Sequence, residues 1–502
     1  MLFVATFVWY FAEFSRLVWL RHSHYGTFDY DLGMYDQGIW QMSHGRLFMT
    51  VRGMDLFAHH ANIGYILFVP FYWIGIGGPQ FLNMVNTFAV VAVTIPLFSL
   101  GRRHLRSNWA GLCMALLYLF HFAPQWKIQE TFHPESLAAP FFVGAFYFAT
   151  VKRWGWYWAC VVAALMWKED IAIAVAMLSV AVAIVSKSRK HAGLTLGVGV
   201  LWFVVATQVF MPAFQQNGAV FDALFGPLGA TSTDVVKTSV EHPSRLVNTL
   251  NCHGAWTGRL TSPPPREGVW CPDAPADPAD TAPYGAADLA RPYGYFGVLG
   301  APAILLTGLP QHVINYSTVA NFTWDLRWHY AMMPFLAVML ASMWTVARRK
   351  RAVSAWFLLI VMAVGVFADR EAGVGPWTTN AVSGNWPIAH SAFYDTLDTV
   401  VRSLPEDAAV SVPYFLVPHL SHREHVYTFP NPWVSSNYGV SGVPAPPSPS
   451  TIDYVVVNRV TLNASEGQLF EQIESSGEFV VEREVTGPGQ LDNVTVLKRV
   501  SG

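Results

Sequence analysis

The chain has 502 residues, of which 53% are hydrophobic, 15% aromatic and only 13% charged. A soluble chain carries roughly twice that charge fraction, so the composition excludes an ordinary soluble domain and points to an α-helical polytopic membrane protein. The formal net charge of −2 comes with neither a basic nucleic-acid-binding segment nor an acidic tail, so no nucleic-acid partner is expected.

About eleven apolar stretches of roughly 14–20 residues precede Phe367. The first, residues 2–20, lacks both a charged leader and a small-residue cleavage site, and it reads as a retained transmembrane helix rather than a signal peptide. An external loop at about 21–58 follows. Within it Leu32, Tyr35, Ile39, Trp40 and Met42 approximate helical spacing. That spacing predicts a short helix on the membrane surface, with Asp31 at its N-cap and Asp29 and Asp36 just above the hydrocarbon. His59 and His60 open the next stretch. Phosphate binding, metal ligation, proton transfer and plain interfacial solvation are all open to them.

Four basic clusters flank later stretches: Arg102, Arg103 and Arg106; Lys152 and Arg153; Lys187, Arg189 and Lys190; and residues 348–351. The positive-inside rule places all four in the cytoplasm. Parity then puts outside the first loop, the turn with His133 and Glu135, the turn with Lys168, Glu169 and Asp170, the loop at about 212–294 and everything after Asp369. The agreement holds only if the stretches at 61–78 and 295–310, both rich in Gly and Pro, are re-entrant, interfacial or incomplete.

Ionisable groups are costly near hydrocarbon, so their recurrence on one predicted face suggests a polar site there. His133 and Glu135 flank Pro134, a helix starter, and with the loop aspartates they are candidate metal ligands. First-turn stabilisation is the plainer role for Glu135. Lys168 is a candidate phosphate partner beside Glu169, or one half of a solvated ion pair. Arg327 and His329 precede a span at the outer face, where arginine suits bidentate phosphate binding and Trp324, Trp328 and Tyr330 suit interfacial anchoring. Cys113 and Cys160 read as small core residues. Cys252 and Cys271 share the long polar loop, and if that loop is outside they are candidates for a disulfide.

The sequence divides at 368/369. Residues 1–368 form the multi-span part. Residues 369–502 carry short strand-like runs around 408–412, 426–429, 454–457, 479–484 and 494–500, with a helical run at 467–476. Together they predict a small external α/β domain without a nucleotide-binding glycine pattern.

The run from Tyr30 to Gln37, followed by Trp40, His44 and Gly45, resembles the opening motif of a bacterial predicted-membrane-protein family. That family is known as domain of unknown function two-thousand-and-seventy-nine. Residues 132–135, Lys168-Glu169-Asp170, His329-Tyr330 with Pro334, and residues 418–423 resemble its later motifs, so the likeness covers most of the chain. The family is in turn similar in layout to C-type glycosyltransferases. The resemblance implies a transferase-like helical bundle and a lipid-linked sugar donor entering from the bilayer. It also implies an acidic residue of the first loop beside the acceptor, a position that Asp31 matches.

The function expected is therefore an inverting glycosyltransferase of the bacterial cytoplasmic membrane. It would move a sugar from a polyprenyl phosphate to a cell-envelope glycan or protein at the outer face. Asp31 is the expected catalytic base. Asp36, His59, His60, His133, Glu135, Lys168, Glu169, Arg327 and His329 are the expected substrate and phosphate contacts. A divalent metal ion, held among Asp31, His133 and Glu135, is the candidate cofactor. A transporter or flippase for a lipid-linked or anionic solute is the first rival, and a membrane-anchored scaffold the second.

Overall fold

The computed structural model describes residues 1–215, 224–230, 232–257, 285–381, 385–440, 444–486 and 493–500. The chain forms two compact units. One comprises Met1–Ser15, Val85–Val209 and Phe221–Asn385; the other comprises Arg16–Met84, Phe210–Val220 and Trp386–Gly502.

The first unit is helical, as its apolar runs require. Among the described residues of the whole chain, four helices are long and apolar enough to cross a bilayer: Leu2–Ser23, Pro79–His104, Arg189–Ala213 and His329–Ala347. Others are shorter than the apolar windows suggest. Asn108–Leu119 and Trp154–Leu165 have 12 residues each, and so are about 18 Å long. Helical hairpins form the scaffold, and small residues set their spacing. A Cβ added to Gly101 would lie 2.8 Å from the Gly111 Cα, and one added to Gly199 would lie 2.5 Å from the Ala176 nitrogen. Backbones meet at these points because no side chain intervenes. The turn between Ile171–Ser186 and Arg189–Val205 is made by Lys187 at φ 60° and by Ser188, whose hydroxyl accepts from the His191 N–H.

The basic clusters gather at one end of this unit. His104 bonds Thr150 at 3.0 Å and packs edge-on to Trp344, which brings the clusters at 102–106, 152–153 and 348–351 together. Trp154 stacks on His191 at 3.5 Å, which adds the cluster at 187–190. This common end is what the sequence topology requires. The two doubtful stretches are broken. Residues 63–73 form a six-residue 3-10 helix and a five-residue α-helix, while 296–317 divides into Phe296–Gly300, Pro302–Thr307 and Leu309–Ser317.

The second unit joins the first loop to the tail, a union that the linear order of the chain does not display. A hairpin of β1 (Phe48–Met49) and β2 (Met54–Asp55) follows the helix Met34–Ser43. The tail forms β3 (Val410–Val412), β4 (Val426–Thr428), β5 (Tyr454–Asn458), β6 (Phe479–Thr486) and β7 (Asn493–Arg499) in the order β4-β3-β5-β7-β6. β3 runs parallel to β4 and β5, whereas β7 is antiparallel to β5 and β6. The helix Ala464–Ser475 starts at Asn463 with a capping box to Glu466 and buries Phe470 and Ile473 in the sheet core. The small α/β tail expected from the sequence is thus present.

Thr50 ties hairpin to sheet: its hydroxyl donates to the Val426 carbonyl at 2.9 Å and accepts from Gln37 at 2.7 Å.

Candidate functional site

At the end of the first unit away from the basic clusters, charged groups from four segments meet in the interior. The helix Phe122–Gln129 ends at Glu130, and the chain then reverses through Thr131, whose φ is +90°. A positive φ is a steric outlier for a β-branched residue, and such strain persists only where surrounding contacts enforce it. The reversal aims both Glu130 and His133 inward. Pro134 then starts the helix Pro134–Thr150, with Glu135 in its first turn.

Glu130 Oε1 accepts from His329 Nδ1 at 2.6 Å and lies 3.5 Å from His133 Nε2. The two imidazoles stack at 3.9 Å. Glu135 Oε1 pairs with the Lys168 ammonium and lies 3.9 Å from His329 Nε2. Lys168 also sits 3.6 Å from Asp170 and 5.8 Å from the Tyr330 ring centroid. Glu130, His133, Glu135 and Lys168 are all buried, with side chains no more than 7% exposed. A second oxygen on each glutamate, Glu130 Oε2 and Glu135 Oε2, has no hydrogen-bond partner in this interior. Buried acceptors are rarely left so, and the pair of them leaves capacity for a cation or a hydroxyl-bearing ligand.

Lys127 organises the other wall. It is buried and donates to the carbonyls of Leu326 (3.1 Å) and Trp328, pinning the segment that delivers His329. Burial lowers its pKa to about 8 despite the neighbouring Glu130, Asp325 and Glu135. Asn86 donates to the Lys127 carbonyl at 3.1 Å and accepts from the His133 N–H at 3.3 Å. Arg327 forks onto Asp325, with bonds of 2.6 to 3.0 Å, and lies over the Trp126 ring.

Desolvation is the main reason that Asp170 rises to about 7; Glu135 and Glu169 add to it and Lys168 opposes it. A carboxyl raised from its ordinary range holds its proton in the folded state between about pH 4 and 7, where the unfolded chain does not. Stability from this group is therefore present at the acid side and is lost as pH rises through 7. Asp170→Asn is expected to flatten the dependence of the thermal midpoint on pH between 5 and 8. An unchanged slope would show that Asp170 does not titrate there.

The structure thus brings together His133, Glu135, Lys168 and His329 of the expected set, with Glu169 buried in the same turn as Lys168. Sequence reading passed over Lys127, Glu130 and Asp170 as site residues. The first two were legible as a Lys/Glu pair three residues apart, facing one way just before the His-Pro-Glu turn.

Asp31, Asp36, His59 and His60 belong to the second unit. Two expectations there need correction. Asp31 does not cap a helix: the helix begins at Met34 with Gly33 at the N-cap position and no side-chain cap. Nor does that helix lie exposed on a surface, because Met34 to Ile39 are buried and Asp36 is fully so. Asp31 instead occupies a reversal at φ 60°, ψ −78°. This is close to the rare γ-turn conformation, which is strained for a residue with a side chain.

Asp29 accepts from Thr428 at 2.7 Å, and burial raises its pKa. Asp29 and Tyr30 line a small cavity of about 40 Å³ with Arg52, Thr428, Asn431 and Asn437. Asp36 accepts from Tyr72 (2.6 Å) and Ser421 (2.5 Å). His59 and His60 are buried, His59 beside the Tyr35 ring at 5.9 Å. Cys252 is buried near a helix end, and Cys271 lies outside the described residues.

The model of the predicted membrane protein family DUF2079 matches residues 21–257 and 276–486. The chain belongs to the DUF2079 family. This DUF2079 member is also similar across its length to a solved structure, ArnT from Cupriavidus metallidurans bound to undecaprenyl phosphate. The identity is 12%, the TM-score 0.51, and the match covers 99% of this chain and 97% of that one. ArnT from the same organism in the apo state matches with 12% identity, a TM-score of 0.41 and 98% coverage of each chain. The bound form shows that the DUF2079 member shares the ArnT fold, as expected from the resemblance. No curated protein matches it in sequence.

Proposed function

We propose that this protein is an inverting glycosyltransferase that moves a sugar from a polyprenyl phosphate to a cell-envelope acceptor at the outer face of the cytoplasmic membrane. The observation that carries the reading is the buried Glu130–His329–Glu135–Lys168 cluster, placed at the end of the helical unit opposite all four basic clusters. The end-to-end likeness in fold to a protein solved with undecaprenyl phosphate supports it. In this reading the basic end is cytoplasmic, and the cluster and the sheet-bearing tail are extracytoplasmic.

Asp31 takes the proton of the acceptor hydroxyl as its oxygen bonds to the sugar C1. The C1–O bond to phosphate breaks on the opposite face, and polyprenyl phosphate leaves. Arg327, two-fifths exposed, and Lys168 balance the charge that collects on the phosphate. The residues also fit a divalent cation: Glu130 Oε2 and Glu135 Oε2 would hold it with the paired imidazoles, and it would supply further positive charge for the leaving phosphate.

The test is sugar release from polyprenyl-phosphate donors by the protein in lipid vesicles. Arg327→Ala is expected to slow transfer about 100-fold, the effect of losing one donor to a developing oxyanion. Full transfer by Asp31→Asn, Lys168→Ala and Arg327→Ala alike would sink the mechanism. Vesicles that accumulate solute without any transfer would favour the transporter.

A further inference from the structure

A second ionic arrangement lies wholly within the other unit. The Asp36 carboxylate is fully buried and has three donors. Tyr72 bonds one oxygen, while Ser421 and His422 Nε2 (3.1 Å) bond the other. The imidazole of His422 does not share that burial, since its side chain is 41% exposed. Trp40 lies parallel to it at 6.2 Å and the Tyr72 ring packs at 5.5 Å. On its remaining side is Gly78, at φ +150°, where a Cβ would stand 3.5 Å from the His422 Cε1. Trp40 in turn carries the His44 ring at 4.1 Å and the Arg46 guanidinium at 5.6 Å. Arg46 also pairs with Glu424 at 3.3 Å.

We propose that His422, held by Asp36 and walled by Trp40 and Tyr72, is a binding site for a phosphate anion. The inference does not depend on the transferase reading.

Tyr72 and Ser421 already donate to both Asp36 oxygens, so hydrogen bonding alone needs no third, exposed partner; the counter-charge comes from His422. That counter-charge sits on a partly exposed ring with one nitrogen bonded to Asp36. Burial lowers its pKa, but the charge of Asp36 and its hydrogen bond together outweigh burial and raise it from the ordinary histidine value, which favours the charged form. Charge-assisted bonds from an imidazolium to phosphate oxygen are short and strong. The surroundings also suit an anion bearing an apolar group. Tyr72 and Gly78 belong to a segment whose Phe71, Trp73, Ile74 and Ile76 are exposed. The phosphate belongs either to a lipid headgroup or to a free ion.

The two sources are separable with full-length protein carrying 15N-labelled histidine in phosphatidylcholine nanodiscs, with His422 signals assigned by their loss in His422→Gln. Inorganic phosphate is titrated in one arm; in the other, part of the lipid is replaced by phosphatidylglycerol. Exposed His390, paired with Asp395 at 3.0 Å, reports any general surface potential. The expected result is a rise of about one unit in the His422 midpoint beyond that of His390, equivalent to tenfold tighter binding to the charged form. A rise with inorganic phosphate identifies a free-ion site; a rise with phosphatidylglycerol alone identifies a headgroup site. If neither ligand moves His422 more than His390, the contact is structural and the proposal fails. Radiolabelled phosphate or lipid binding by His422→Gln, which keeps the other Asp36 donors, checks the same point. Undiminished binding would overturn the assignment.

Discussion

Lys168→Met is expected to destabilise the protein by about 3–5 kcal/mol, because it strands the Glu135 carboxylate in the interior without its cation. Glu135→Gln is expected to cost a similar amount by leaving the ammonium unbalanced, although Asp170 at 3.6 Å softens that loss. The double variant Lys168→Met/Glu135→Gln removes both charges and should recover most of the stability. Thermal unfolding of the four proteins in one detergent tests this as a cycle. Additive losses would mean that the two groups do not act as a buried pair. A stable double variant that transfers no sugar would separate the role of the pair in folding from its role in chemistry.

The second large effect concerns Asp31. Its φ of 60° with ψ of −78° is tolerated by glycine and costs other residues about 1–3 kcal/mol. Asp31→Gly is therefore expected to raise stability by about 1 kcal/mol while removing the carboxylate. Transfer should fall about 100-fold or more in both Asp31→Gly and Asp31→Asn, the usual contribution of a general base. Asn keeps the strain and the shape, so it isolates the charge. Undiminished transfer by Asp31→Asn would remove Asp31 from the chemistry. No gain in stability for Asp31→Gly would show that the turn is relaxed.

Much of this architecture is legible in the linear chain, for identifiable reasons. The helical bundle follows from apolar runs stopped by arginine and lysine, and the joining of the basic clusters follows from parity. The tail strands are visible because Val410, Val426 and Tyr454 to Val457 sit in short β-branched runs between turn residues. His133, Glu135, Lys168 and His329 stand out because ionisable groups are costly between apolar stretches. Contacts of long range are another matter. Asp36 meets Ser421 across 385 positions, and nothing local to either residue announces it. The cap expected at Asp31 fails because the helix starts three residues later at Met34. Backbone torsions such as that of Thr131 are hidden as well, since a threonine in a turn gives no sign of a positive φ. The short run that ends before the Lys168 turn is legible too, and it forms Trp154–Leu165.

Those abbreviated helices have a consequence for the surrounding lipid. Cylinders of 12 residues such as Trp154–Leu165, most of whose side chains are not buried, reach about 18 Å, against roughly 30 Å for a typical hydrocarbon core. Acyl chains beside them must compress or splay to meet the ends, so the bilayer dimples around the protein. Thicker membranes raise the cost of that deformation. Occupancy of long-chain lipid bilayers should therefore fall, and the protein should collect where short or unsaturated tails are abundant.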